Sequence, residues 1–140
     1  MTGSETLRQP MVVLPDQGRT YEMGRMRAIF KADNEESASR YSVSEWWLDP
    51  HTRGPGVHSH DDDHVFYVLA GPLSVSLNEE WSQLEAGSYA IIPGGTLHNF
   101  ENRGSERTGF IAFTTPGGFE QRMPGPDGIA AALAAGDLRL

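Results

Sequence analysis

The chain contains no cysteine. Structural disulfides, thiolate metal sites and cysteine nucleophiles are therefore excluded, and any bound metal must be held by His, Asp, Glu or backbone oxygen. No apolar run approaches the roughly 20 residues needed to span a bilayer, and the first 30 residues lack a basic stretch followed by an apolar one. Positive charge is also scarce. Eleven basic residues stand against 19 acidic ones, for a formal net charge of -8, and no Lys/Arg cluster offers a surface to nucleic-acid phosphates or an anionic membrane. These absences predict a cytoplasmic protein with neither a nucleic-acid nor a membrane partner.

Turn formers, in contrast, are plentiful. Sixteen Gly and nine Pro are spread along 140 residues, which disfavours a helical bundle and favours many short strands. The length suits one domain, 1–140, with a single core. Short apolar or alternating runs lie at 11–14, read as an edge strand, and at 21–31, where Met26, Ala28 and Phe30 share one side. A polar turn at 33–37 precedes a strand at 40–48, in which Val43, Glu45 and Trp47 face one way and Ser44, Trp46 and Leu48 the other. Further strands are expected at 64–69, 73–77, 81–84, 89–92, 97–101 and 108–114, each closed by Gly, Pro or Asn turns. Strands at such spacing predict an all-β antiparallel sandwich or barrel. Residues 1–10 read as loose. The stretch 126–136 reads as a short helix capped by Asp127, with Ile129 and Leu133 at i and i+4. Residues 119–123 suit a cover for a barrel mouth or a subunit contact.

The histidines carry the chemistry. Three of the five, His58, His60 and His64, fall within seven positions. On extended backbone His58 and His60 project from one face, and His64 keeps that parity if Asp61-Asp62-Asp63 is a simple turn or bulge. His98 needs another strand to bring it near, which an antiparallel barrel supplies. The acidic run itself reads as a solvated turn, or as the source of a carboxylate that accepts the N–H of a ligating imidazole. His51 reads as a solvent-facing loop residue.

Two motifs here resemble the cupin superfamily. The second is complete: Gly87, Pro93, Gly95, His98 and Asn102 reproduce the spacing G-x5-P-x-G-x2-H-x3-N. The first is partial. His58, His60 and Gly71 match H-x-H-x3-E-x6-G, but His64 stands where the family has Glu, and the leading Gly falls on Thr52. The resemblance spans roughly 40–115. It implies a double-stranded β-helix, or jelly-roll barrel, here with a short C-terminal helix, and one divalent transition metal per chain held by His58, His60, His64 and His98. His64 has two open roles, as a ligand or as a residue turned away from the ion.

Neutral imidazoles suit Mn, Fe, Cu, Ni or Zn, whereas a shell without carboxylate disfavours Mg and Ca. Four imidazoles leave the ion its full +2 charge, a stronger Lewis acid that favours anionic, chelating substrates. Without the family Glu, proton abstraction passes to metal-bound hydroxide or to a pocket residue, for which Glu45 is a candidate base. Trp46, Trp47, Phe66 and Phe100 are candidates for an apolar substrate wall.

The resemblance to small quercetin-dioxygenase-like cupins implies a metal-dependent dioxygenase acting on an enolisable or aromatic small molecule with dioxygen. Two alternatives stand beside it. One is a non-redox metal-dependent isomerase, cyclase or lyase; the other is a non-catalytic small-molecule-binding cupin. Exposed sheet edges, including the N-terminal strands, predict a homodimer.

Overall fold

The computed structural model describes residues 8–123. Among these residues nine strands run in chain order: β1 (Arg19–Met23), β2 (Met26–Ala32), β3 (Ser42–Leu48), β4 (Asp63–Ala70), β5 (Leu73–Leu77), β6 (Glu80–Leu84), β7 (Tyr89–Ile92), β8 (His98–Glu101) and β9 (Thr108–Thr115). They form two antiparallel sheets, a six-stranded one in the order β1-β2-β3-β9-β4-β7 and a three-stranded one in the order β6-β5-β8. The architecture is the expected jelly roll. A one-turn helix, α1 (Asn34–Ser37), follows β2, and a 3-10 turn, Phe119–Arg122, follows β9. Among the described residues no helix is long and apolar enough to cross a membrane.

Period-two alternation builds the core. Met26, Ala28 and Phe30 of β2 are buried, as are Trp46 and Leu48 of β3, Phe66 and Val68 of β4, Phe100 of β8, and Phe110 and Ala112 of β9. Their intervening neighbours face outward. The outward face of the large sheet is itself apolar: Ile91 pairs with Val65, Val65 with Phe113, and Phe113 with Val43 in one row across four strands.

Three local expectations are corrected. Residues 11–14 form no strand. Pro15 ends the run, the Leu14 carbonyl accepts from the backbone N–H of Gln17, and the Lys31 ammonium also donates to the carbonyls of Leu14 and Pro15. That leaves Met11, Val12 and Leu14 exposed. The 21–31 run divides into a hairpin at Gly24-Arg25, closed by the Met23–Met26 pair. The polar turn at 33–37 winds into α1, where the Glu36 carboxylate accepts from the Asp33 N–H at 2.9 Å. His58 and His60 lie on extended backbone before β4, outside any ladder, joined to β8 by the single bridge His58–His98. The helix expected over 126–136 lies outside the described residues.

Two motif residues show why their types are needed. Gly95 sits at φ +86 and donates its N–H to the His60 carbonyl at 2.7 Å, a left-handed turn that favours glycine. Asn102 is fully buried. Its amide Nδ2 donates to the carbonyls of Leu48 (3.3 Å), Asp49 (3.0 Å) and Glu106 (2.7 Å), while its Oδ1 accepts from Gly104 N–H at 3.0 Å. Three chain segments thus depend on one amide. Asn102→Asp keeps the shape but replaces these donors by an anion facing carbonyl oxygens. It should cost about 2–4 kcal/mol in urea unfolding of the metal-free protein; a loss below about 0.5 kcal/mol would mean that the amide ties nothing together.

Candidate metal centre

The chain between His58 and His64 crosses from the small sheet to the large one. At its start, His58 and His98 exchange backbone hydrogen bonds, with N–H···O distances of 3.1 and 2.8 Å. At its end, His64 enters β4 with its side chain inward. The crossing brings four imidazoles to one end of the barrel interior. Ring centroids lie 4.3 Å apart for His58–His98, 4.8 Å for His58–His60, 5.2 Å for His60–His98 and 4.9 Å for His60–His64. Candidate ligand nitrogens of His58, His60 and His98 all lie within 4.8 Å of one another. His64 stands outside this group of three. Its Nε2 is 3.7 Å from Asp62 Oδ1, beyond a hydrogen bond.

The backbone sets which nitrogen faces the centre. His58 Nδ1 lies 2.7 Å from the Gly56 carbonyl and His98 Nδ1 lies 2.9 Å from the Thr96 carbonyl. A carbonyl only accepts, so each neutral ring carries its proton on Nδ1 and leaves the Nε2 lone pair free. Among the described residues the Nε2 atoms of His60 and His64 are buried with no hydrogen-bond partner. An unpaired buried polar atom is costly. These free nitrogens fit a transition ion, and the donor set contains only imidazole.

Electrostatics keep three of the rings, His60, His64 and His98, neutral. Burial pushes His60 down to about 4, helped by the neighbouring His58, His64 and His98 and by Arg122. Burial likewise brings His64 to about 4 against the opposing pull of Asp62, and it lowers His98. Neutral imidazole is the form that ligates a metal.

The histidines open into a cavity of about 270 Å³, walled by Trp46, Phe66, Phe100 and Phe110 and roofed by Phe119. Trp46 stacks on Phe110 at 6.1 Å between centroids and meets Phe100 edge-on at 5.8 Å. Trp46, Phe66 and Phe100 therefore stand where the alternation places them. Glu45 and Trp47 do not. They lie on the other face of β3, where the Trp47 indole N–H donates to Glu45 Oε1 at 2.8 Å and Arg107 covers the Trp47 ring at 4.6 Å. Neither residue lines the cavity, so the base assigned to Glu45 and the wall assigned to Trp47 are both withdrawn.

Sequence reasoning offered the acidic run and the 119–123 cover as segments without singling out the residues that act. Asp62 is buried while Asp61 and Asp63 are exposed. Its even number gives it the parity of His60 and His64, a signal present in the run itself. Burial raises its carboxyl, yet the net direction is down because Arg122 Nη1 donates to it at 3.0 Å. Phe119 roofs the cavity, as the reading of 119–123 as a cover for a barrel mouth expected, whereas the role of Arg122 carries no motif.

Depressed histidines make the metal-free protein acid-sensitive. An unfolded histidine titrates near 6.5, so between about pH 6.5 and 4 the unfolded chain binds more protons and folding weakens as pH falls. Urea unfolding of the metal-free protein should lose about 3 kcal/mol between pH 7.5 and 5, and His64→Gln should remove about half of that slope. A flat profile would show the rings to be solvated.

Residues 44–114 match the family model described as Cupin domain. Over 113 residues the chain is 29% identical to quercetin 2,3-dioxygenase of Bacillus subtilis, an alignment covering 79% of this chain and 32% of that protein. The chain thus spans about a third of that relative's length. A predicted oxalate decarboxylase of Thermotoga maritima superposes with a TM-score of 0.70 at 20% identity, covering 76% of this chain and 99% of that one. The polyketide cyclase RemF of Streptomyces resistomycificus gives 0.67 at 19%, covering 76% and 80%. At these identities the structural likeness speaks for the fold alone. With the family match extending over half its length and its two sheets closing around a histidine cluster, the chain belongs to the cupin family.

Proposed function

We propose that this chain is a metal-dependent dioxygenase acting on an enolisable or aromatic small molecule. The observation that carries the reading is the cluster of four imidazoles, with the Nε2 atoms of His60 and His64 buried and unpartnered among the described residues, opening onto an apolar chamber. The similarity to quercetin 2,3-dioxygenase of Bacillus subtilis supports the same reading. His58, His60 and His98 would hold one divalent transition ion, with His64 beside them as a fourth donor. Such an ion, when bound, supplies Lewis acidity and, if redox-active, a route for dioxygen chemistry.

The chain's own residues define the rest. Trp46, Phe66, Phe100 and Phe110 exclude water and present ring faces to a flat substrate. Among the described residues, none that lines the cavity is a carboxylate, so the reading favours a substrate whose acidic proton is already labile, such as an enol or phenol. Hydrogen bonds from the Nδ1 atoms of His58 and His98 to backbone carbonyls hold those rings in one tautomer, which limits the reorganisation needed to accept a metal.

Metal content of untagged protein purified without chelator tests the reading. Near-stoichiometric Mn, Fe or Cu, absent from His58→Ala/His98→Ala and accompanied by oxygen uptake with an enolic substrate, is the expected result. Metal-dependent turnover without oxygen uptake would favour a Lewis-acid isomerase, cyclase or lyase, and ligand binding without turnover would favour a binding cupin. No metal above the level of the double variant would sink the centre.

We also infer a homodimer, built on the outer face of the large sheet rather than on the N-terminal segment. The Ile91, Val65, Phe113 and Val43 row continues into Tyr89, Tyr67 and Ile111, and Tyr89 and Ile91 are each more than half exposed. A two-fold axis would lay this band against its own copy. Sedimentation at micromolar concentration should give a dimer for the native chain and a monomer for Ile91→Lys; a native monomer overturns the inference.

A further inference from the structure

The roof of the cavity is pinned from one side. The Asp33 carboxylate accepts the backbone N–H groups of Gly118 (2.6 Å) and Glu120 (2.9 Å). Arg19 forks to Glu120 through Nε (2.8 and 2.9 Å) and to Glu36 through Nη1 and Nη2 (3.1 and 2.7 Å), and the Tyr21 hydroxyl donates to Glu120 at 2.8 Å. The 3-10 turn is thereby held so that Phe119 faces His64 edge-on at 5.1 Å and Arg122 lies at the mouth. Among the described residues that line the cavity, Arg122 is the one cationic side chain.

Arg122 is partly engaged. Its Nη1 donates to the buried Asp62, while Nε and Nη2 make no hydrogen bond among the described residues, and its side chain is 46% exposed. A guanidinium has five N–H donors. One edge is therefore available to a ligand at the mouth, beside the Phe119 ring, whose centroid is 5.6 Å from the guanidinium carbon.

We propose that Arg122 is the anion-recognising residue of this cavity and that the site takes a planar aromatic carboxylate, its ring among Trp46, Phe66 and Phe100 and its carboxylate on the free edge of the guanidinium. This rests on the reading of the cavity as the substrate site. Asp62 gives the arrangement its selectivity. It cancels the formal charge of Arg122, so a small hydrophilic anion gains little, and a ligand binds well only when ring burial adds to the charge-assisted hydrogen bonds. Because the guanidinium is half-exposed, its own contribution to affinity is a modest factor.

The test is calorimetric titration of the full chain with 2-naphthoate and 2-naphthamide, which share a shape and differ in charge. The native protein should bind the carboxylate about five- to tenfold more tightly than the amide. Arg122→Gln should bring the two together while changing amide affinity less than twofold, Arg122→Lys should keep part of the preference, and Asp62→Asn should widen it. Raising the salt to 0.5 M should shrink the gap. A preference that persists in Arg122→Gln and disappears on chelation would place the carboxylate at the histidine end and overturn the proposal. Equal binding of both ligands by the native protein would overturn it too, leaving the cavity reading intact. Failure of both to bind would overturn the proposal and the cavity reading together.

Discussion

Two reciprocal hydrogen bonds between the backbones of His58 and His98 join the segment before β4 to β8. Without that bridge, the residues that cross between the sheets would be an ordinary surface loop, and period-two alternation would have no fixed origin. With it, every second residue from His58 onward points inward: His58, His60, Asp62 and His64. The complete motif supplies the other half of the bridge. Gly95 turns the chain and bonds to the His60 carbonyl, Thr96 fixes the His98 ring through its carbonyl, and Asn102 fastens the far end of β8 to the loops after β3 and before β9.

Much of this was legible in the sequence because the information was local. Turn residues marked strand ends, and β5 and β7 fall where those marks put them. The histidine parity and the spacing from Gly87 to Asn102 were local too. The errors arose where a second element decides. Whether Glu45 or Ser44 faces inward cannot be read from β3 alone, since both faces alternate equally well. The choice follows from the pairing of Trp46 with Ala28 and Phe110, which turns that side to the core. The Glu45–Trp47 hydrogen bond then satisfies the outward pair. Residues 11–14 carry an apolar pattern but no ladder partner, and the Leu14 carbonyl goes to Lys31 and Gln17 instead. Arg122 reaches Asp62 across 60 positions, a distance at which no periodicity operates.

The site combines two kinds of constraint. Histidines held neutral by burial are poised for a cation, while the surrounding aromatic side chains refuse bulk water. The cost appears as unpaired nitrogens on His60 and His64. A barrel evolved only for stability would fill these positions with aliphatic side chains, as it does in the neighbouring layer with Val68, Leu73 and Val75.

The residues that pin the roof have one further property. Arg19 and Tyr21 belong to β1, which among the described residues pairs with β2 alone at the edge of the large sheet, and Asp33 and Glu36 cap and form the single-turn helix that follows β2. The cover of the cavity is thus fastened to an edge strand, mainly by hydrogen bonds to charged groups. Hydrogen bonds that tie edge strand, helical turn and roof together should make their amides exchange as a group, ahead of those in the inner strands.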